Sequence, residues 1–260
     1  MYHASGRSII KVTKTQNDLQ INHSRKEEKM QINGFNKTTL LDYPGHVACT
    51  VFTGGCNFCC PFCQNGDLVL HAGQLPQIPE EEIFQVLRKR QGILTGICVT
   101  GGEPTLQPDL DIFLSRVKEL GYLVKLDSNG YRPEVLESLC GRKLVDYIAM
   151  DIKSSPENYT KTIGLPALDM GRIRASVDFI RSCGLPYEFR TTVVRELHSA
   201  RDFISIGEWL KGCEAYFLQS YAESDGVICK QFSAYEKPEL EEFIRILKPY
   251  IDNVNLRGVD

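Results

Sequence analysis

Short apolar runs rich in β-branched residues alternate with longer stretches of helical periodicity through most of this chain, and no other feature narrows its fold as much. Val47 to Thr53 reads as a strand. Glu80 to Gln91 places acids in its first turn and Ile83, Val86 and Leu87 on one face, so it reads as a helix. Gly96 to Thr100 is the next strand. Pro108 to Leu120 is a helix with Leu110, Phe113, Leu114, Val117 and Leu120 along one stripe and Gly121 as its C-terminal cap. Strands at Tyr122 to Asp127 and Val145 to Asp151 flank a short helix at Pro133 to Cys140. A helix from Asp169 to Cys183 stops at Gly184 and leads into a strand at Tyr187 to Val194. The series closes with a helix at Ser199 to Lys211, a strand at Ala215 to Gln219, a helix at Pro238 to Tyr250 and a short strand at Val254 to Arg257. Strands and helices in this order imply right-handed βαβ units and a parallel sheet. Six such units are too few to close an eight-stranded barrel, so the expected fold is α/β, an incomplete (β/α)6 barrel. An open doubly wound sheet is the alternative.

Residues 1–29 break the pattern. They are rich in Lys, Asn, Gln, Ser and Thr, lack sustained periodicity and end in the charged run Arg25-Lys26-Glu27-Glu28-Lys29, so they read as disordered or loosely attached. Residues 30–260 make up the organised domain. The formal net charge of -3 and the absence of a long basic stripe argue against nucleic acid or an anionic membrane as partner. No apolar run approaches the roughly 20 residues of a transmembrane helix, and no secretory h-region precedes the domain, so a cytoplasmic location is expected.

Ten cysteines are present, and four of them fall between Cys56 and Cys63. Such crowding in a long chain without a secretion signal points to metal binding rather than crosslinking. The other six are isolated and read as small buried hydrophobes. The crowded stretch, Cys56-Asn57-Phe58-Cys59-Cys60-Pro61-Phe62-Cys63, has two parsings. Two abutting Cys-x2-Cys pairs would make a zinc module, although zinc usually draws its thiolates from two separated knuckles. The spacing Cys-x3-Cys-x2-Cys instead offers Cys56, Cys60 and Cys63 to three corners of an iron–sulfur cubane. That leaves one iron open, as catalytic metal sites require.

Cys-x3-Cys-x2-Cys with an aromatic residue before its last cysteine, here Phe62, resembles the signature of the radical S-adenosylmethionine (radical SAM) enzymes. In that family the aromatic residue packs near the adenine of the cofactor. Gly101-Gly102-Glu103-Pro104 matches the family's GGEP element, whose glycines let backbone approach a ligand and whose Pro104 stiffens the turn. Glu103 would accept hydrogen bonds from the ammonium group of the methionine moiety. Alone this tetrapeptide is an ordinary turn. Asp127-Ser128-Asn129-Gly130 and Asp151-Ile152-Lys153 are weak in isolation, because strand ends are often polar. Arg190, within a strand, has a structural ion pair or an edge position as its plainer explanation. Position unites these residues. The Cys loop, Gly101 to Pro104, Asp127 to Gly130 and Asp151 to Lys153 all fall at the carboxyl ends of successive strands, the face that carries the active site in parallel barrels.

The run Thr39-Leu40-Leu41-Asp42-Tyr43-Pro44-Gly45 extends the likeness, from about Gln31 to the C-terminus, to the anaerobic ribonucleoside-triphosphate reductase activating proteins among the glycyl-radical-enzyme activases. The resemblance implies one [4Fe–4S] cluster and S-adenosyl-L-methionine as cofactors. It places Asp127 and Asp151 near the methionine carboxylate, with Lys153 nearby, where some members also hold a monovalent cation; Arg190 falls near the ribose or carboxylate, and Ser128 counts among the cofactor-binding residues. The implied chemistry is one-electron cleavage of the sulfonium to a 5′-deoxyadenosyl radical, which takes hydrogen from a backbone glycine. Implied partners are a glycyl radical enzyme, anaerobic ribonucleotide reductase first, and reduced flavodoxin or ferredoxin as electron donor. A formate-lyase-type partner or a small-molecule substrate is the alternative. Two departures stand out: Cys59 where relatives often carry a basic residue, and Gln64 where a histidine is common.

Overall fold

The structure is a computed structural model that describes residues 29–259, so the segment expected to be disordered lies, Lys29 apart, outside the described residues. One eight-stranded sheet runs in strict chain order: β1 (Ile32–Thr39), β2 (Ala48–Thr53), β3 (Gly96–Gly101), β4 (Leu123–Ser128), β5 (Tyr147–Asp151), β6 (Tyr187–Val193), β7 (Tyr216–Ser220) and β8 (Val254–Arg257). β1 is antiparallel to β2, whereas β2 to β8 are parallel throughout. A doubly wound sheet reverses its strand order at a switch point. No reversal occurs here, and among the described residues β8 is not paired with β1, so the incomplete barrel is the observed architecture.

The helices follow from their apolar stripes: α1 (Gly66–Leu70), α2 (Glu80–Lys89), α3 (Leu110–Glu119), α4 (Pro133–Gly141), α5 (Tyr159–Thr162), α6 (Met170–Ser182), α7 (Ala200–Trp209) and α8 (Lys237–Leu247). α2 buries Ile83, Phe84 and Leu87, with three glutamates in its first turn and Arg88 and Lys89 in its last, each matched to the helix dipole. α3 buries Leu110, Phe113, Leu114 and Val117. α7 opens with a capping box between Ser199 and Asp202. These helices shield a core that includes the apolar residues Val124, Leu126, Ile148, Met150 and Phe189 of β4, β5 and β6. Among the described residues, no helix is long and apolar enough to cross a membrane.

β1 corrects the expectation that the sheet begins at Val47. Its sequence, Ile32-Asn33-Gly34-Phe35-Asn36-Lys37-Thr38-Thr39, is mostly polar, and the pairing with β2 rather than apolar periodicity makes it a strand. Antiparallel pairing brings its start to the carboxyl end of the sheet, where Gly54 N donates to Gln31 O at 2.9 Å. Its end meets the start of β2, so the run Thr39 to Gly45 lies at the opposite end of the sheet from the Cys loop. There Tyr43 is buried against Gly96, where a Cβ would stand 2.8 Å from the Tyr43 ring. Asp42 accepts a hydrogen bond from Thr50. This run supports the barrel floor, while Leu40 and Leu41 point into solvent.

Candidate active site

β2 ends at Thr53, and the chain turns through Gly54 and Gly55 into the cysteine loop. Gln107 holds this turn from one side, with Nε2 donating to Gly54 O at 2.8 Å and Oε1 accepting from Gln31 N at 2.8 Å. Cys63 N closes a turn on Cys60 O at 2.9 Å. The segment around α5 braces the outside of the loop: Cys59 N donates to Ile163 O at 3.0 Å, and a Cβ at Gly164 would stand 2.2 Å from Cys59 O. On the far side, residues 222–229, which follow β7, form a strap along the loop. Gln64 Nε2 donates to Ala222 O at 2.6 Å, Gly66 N to Gly226 O at 2.9 Å, Ile228 N to Cys63 O at 3.2 Å and Cys229 N to Pro61 O at 2.9 Å.

A cavity opens at the carboxyl ends of β2 to β7. Cys56, Cys60 and Cys63 line it with Phe62, and Cys59 does not. Gly101, Gly102 and Glu103 line it from the β3 loop, Asp127 and Ser128 from β4, Asp151 and Lys153 from β5, and Arg190 from β6. Of the residues expected to hold the cluster or its cofactor, Pro104 alone stands behind the wall, buried at the start of a short 3-10 turn. Burial pushes the Cys56 and Cys60 thiols up to about 12, and Cys63 upward as well. Lys153 pulls each of the three in the other direction. Among the described residues, no three His, Cys, Asp or Glu side chains are grouped to hold a single metal ion, the arrangement a mononuclear zinc site needs. A cubane spreads its ligands over separate irons, and three thiols facing one cavity beside a cationic lysine fit that donor set.

The glycines of Gly101-Gly102-Glu103-Pro104 serve a closer contact than a ligand. A Cβ at Gly102 would stand 2.0 Å from Gly55 O, and one at Gly101 2.3 Å from Thr53 N. Backbone bonds lock the two loops together: Gly102 N to Thr53 O and Glu103 N to Gly55 O, both 2.8 Å. Glu103 is fully buried, and its carboxylate already accepts from Thr105 N (3.0 Å), Thr105 Oγ1 (2.5 Å), Ser128 Oγ (2.9 Å) and Asn129 N (2.7 Å). Burial pushes its carboxyl up against these four bonds. Three of the four end on Oε1, so Oε2 keeps room for one further donor from the cavity. Glu103 therefore ties the β3 and β4 loops together whatever else it does.

Farther down the wall lies a chain of half-buried charges, anchored on the buried Lys125. Arg190 bridges Asp127 and Asp151, with NH1 3.1 Å from one carboxylate and NH2 3.0 Å from the other. Lys153 pairs with Asp151 at 2.9 Å, and Lys125 pairs with Asp127. Burial alone would raise both aspartates, but Arg190, with Lys153 beside Asp151 and Lys125 beside Asp127, outweighs it and holds both below the usual carboxylate range. Burial would lower Lys153, but Asp151 and Cys60 hold it protonated and above its ordinary value. The positive charge between the two aspartates is thus the Arg190 guanidinium. Arg190 therefore makes the structural ion pairs and also lines the cavity.

Sequence reasoning missed Lys125, Glu188 and Arg257. Glu188 is buried on β6 and takes a bidentate pair from Arg257 of β8 at 2.8 and 2.7 Å, with Tyr147 Oη donating at 3.0 Å. A signal was available. Lys125 and Glu188 each precede a named residue, Asp127 and Arg190, by two positions and so share its face of the strand.

Comparison with known proteins agrees with this geometry. The profile of the Radical SAM superfamily matches residues 50–204, a span from β2 into α7 that contains every residue of the cavity wall so far named as a candidate. A protein of Methanocaldococcus jannaschii, named as a glycyl-radical enzyme activating enzyme, is 32% identical over 239 residues, covering 89% of this chain and 98% of its own. A pyruvate formate-lyase-activating enzyme of Streptococcus mutans is 29% identical over 194 residues, 69% of this chain and 72% of its own. Among solved structures, Streptococcus suis SuiB bound to S-adenosylmethionine superimposes with a TM-score of 0.62 at 16% identity, over 78% of this chain and 48% of that longer one. At that identity the likeness concerns the fold.

Proposed function

Since the chain belongs to the radical SAM superfamily, in its group of glycyl-radical-enzyme activating enzymes, we propose that Cys56, Cys60 and Cys63 hold its [4Fe–4S] cluster and that it installs a glycyl radical on anaerobic ribonucleoside-triphosphate reductase. The observation that carries this reading is the convergence of those three thiols on one cavity with Glu103, Asp127, Asp151, Lys153 and Arg190, while Cys59 is left out. When bound, the cluster and S-adenosylmethionine supply a one-electron cleavage whose adenosyl radical takes hydrogen from a glycine Cα. The protein binds and orients. Lys153 stands toward the thiol side of the cavity and favours a carboxylate between itself and Arg190. Oε2 of Glu103 offers the free acceptor site for an ammonium group. Phe62, buried beside Cys63, gives an apolar face to an adenine. The strap at residues 222–229 and the brace at residues 159–164 fasten the cysteine loop from two sides, so three ligands are held before any metal arrives.

The reductase is preferred over a formate-lyase-type partner because the run Thr39 to Gly45 carries that likeness. A low-potential flavodoxin or ferredoxin fits as electron donor. Ten free cysteines among the described residues fit the reducing cytoplasm. The test is to mix the reduced holoenzyme, S-adenosylmethionine and anaerobic ribonucleotide reductase and record the electron paramagnetic resonance spectrum. A glycyl doublet that vanishes when the partner's radical glycine is replaced by alanine is the expected result. A strong doublet on a formate-lyase partner and none on the reductase would reassign the partner.

A further inference from the structure

Asn129, at the tip of β4, is buried and fully oriented. Its backbone N donates to Glu103 Oε2 at 2.7 Å, and its Oδ1 accepts from Tyr131 N at 3.0 Å. That second bond fixes the amide, since the reverse orientation would set an NH2 group against an N–H. Nδ2 then reaches Asn57 Oδ1 at 2.8 Å and the Cys56 sulfur at 3.8 Å. The same sulfur receives the Phe58 N–H at 3.4 Å. One of these two donors is backbone and beyond simple substitution. The other is a side chain carried by a different loop.

We propose that Asn129 is a positioning residue that sets the reduction potential of the cluster through its N–H···S bond to Cys56. The inference rests on Cys56 being a cluster ligand. A hydrogen bond to a ligand sulfur favours whichever form carries more negative charge there. One-electron uptake, from dithionite in the test or a low-potential protein donor in the cell, adds one negative charge and makes or breaks no bond in the protein. Removing the donor therefore disfavours the reduced form. The placement also joins three parts of the site. Asn129 reaches Cys56 by its side chain and Glu103 by its backbone, so the loop that orients the cofactor acceptor also touches the cluster ligand.

A purely structural Asn129 would cap the turn at Tyr131 and leave the potential alone. The experiment is a redox titration, followed by electron paramagnetic resonance, of reconstituted wild type, Asn129→Ala and Asn129→Asp. Both variants are expected to keep their iron and to be harder to reduce. At a fixed potential the reduced-to-oxidised ratio should fall about fivefold in Asn129→Ala, the factor carried by one net hydrogen bond. It should fall further in Asn129→Asp, which adds a charge. Iron retained with an unchanged midpoint in both overturns the proposal. Should Asn129→Ala lose its iron, Asn57→Ala replaces it: Asn129 stays, its amide loses the acceptor that aims it, and a smaller shift of the same sign is expected. No shift there overturns the proposal as well. A wild type that binds no cluster would instead overturn the assignment of Cys56, a separate result.

Discussion

Replacing Glu103 by Gln takes one acceptor from a carboxylate with no solvent exposure, and the structure fixes which one is lost. Oε1 holds Thr105 N, Thr105 Oγ1 and Ser128 Oγ, so the amide oxygen is needed on that side. The new NH2 group then faces Asn129 N–H, formerly 2.7 Å from Oε2. Two donors are set against each other in a dry site. A hydrogen bond to a charged group contributes about 1.5–3 kcal/mol, and a buried donor left unpaired costs about 1–3 kcal/mol. Both figures describe one lost pair, so they are not summed, and the expected loss is about 2–3 kcal/mol. That lowers the melting temperature by roughly 2–4 °C per kcal/mol in a chain of this size. Urea unfolding of the cluster-free protein under reducing conditions measures it without involving the cofactor. Glu103→Ala should lose more, because it orphans two backbone N–H groups and opens a void. A Glu103→Gln variant within about 0.5 kcal/mol of wild type, an ordinary surface-substitution effect, would refute the view that this carboxylate ties the β3 and β4 loops together.

Two further outcomes follow from the same geometry. Arg257→Met strands Glu188, 1% exposed, without its bidentate partner; breaking a fully buried pair costs about 3–5 kcal/mol, and because Arg257 is a third exposed the expected loss is at or below about 3 kcal/mol, most of which the double variant Glu188→Gln/Arg257→Met should recover in urea unfolding. Gly226→Ala sets a methyl group 2.4 Å from Gln64 O, so the strap should detach, seen as faster proteolysis at residues 222–229 and faster iron loss from the holoenzyme; wild-type rates would mean the strap does not hold the loop.

The parallel strands were legible because Val124, Leu126, Ile148 and Phe189 belong to apolar runs, and the helices because Ile83, Leu87, Phe113 and Val117 recur at helical spacing. β1 was not, since partner pairing rather than its own side chains defines it. α5, four residues long, carries too little periodicity to be seen. At the site, the three cysteines and the polar strand ends could be read from spacing and position. Lys125 and Glu188 escaped notice because charge inside a strand is usually taken for exposure, whereas here the barrel interior is itself polar. Gly101 and Gly102 line the cavity as expected but also admit the backbone of Thr53 and Gly55, a contact between segments nearly fifty residues apart that no local pattern encodes. Nor does any motif announce the strap, whose hold on the cysteine loop is made mostly by backbone groups.

Everything proposed for the site depends on which thiols hold iron. Cys56→Ala, Cys60→Ala, Cys63→Ala and Cys59→Ser are to be reconstituted side by side without oxygen and compared by iron content and visible absorption. The first three should fail to hold the cluster, and Cys59→Ser, whose thiol does not line the cavity, should keep nearly all of it. Equal loss of iron in all four would contradict the three-ligand site.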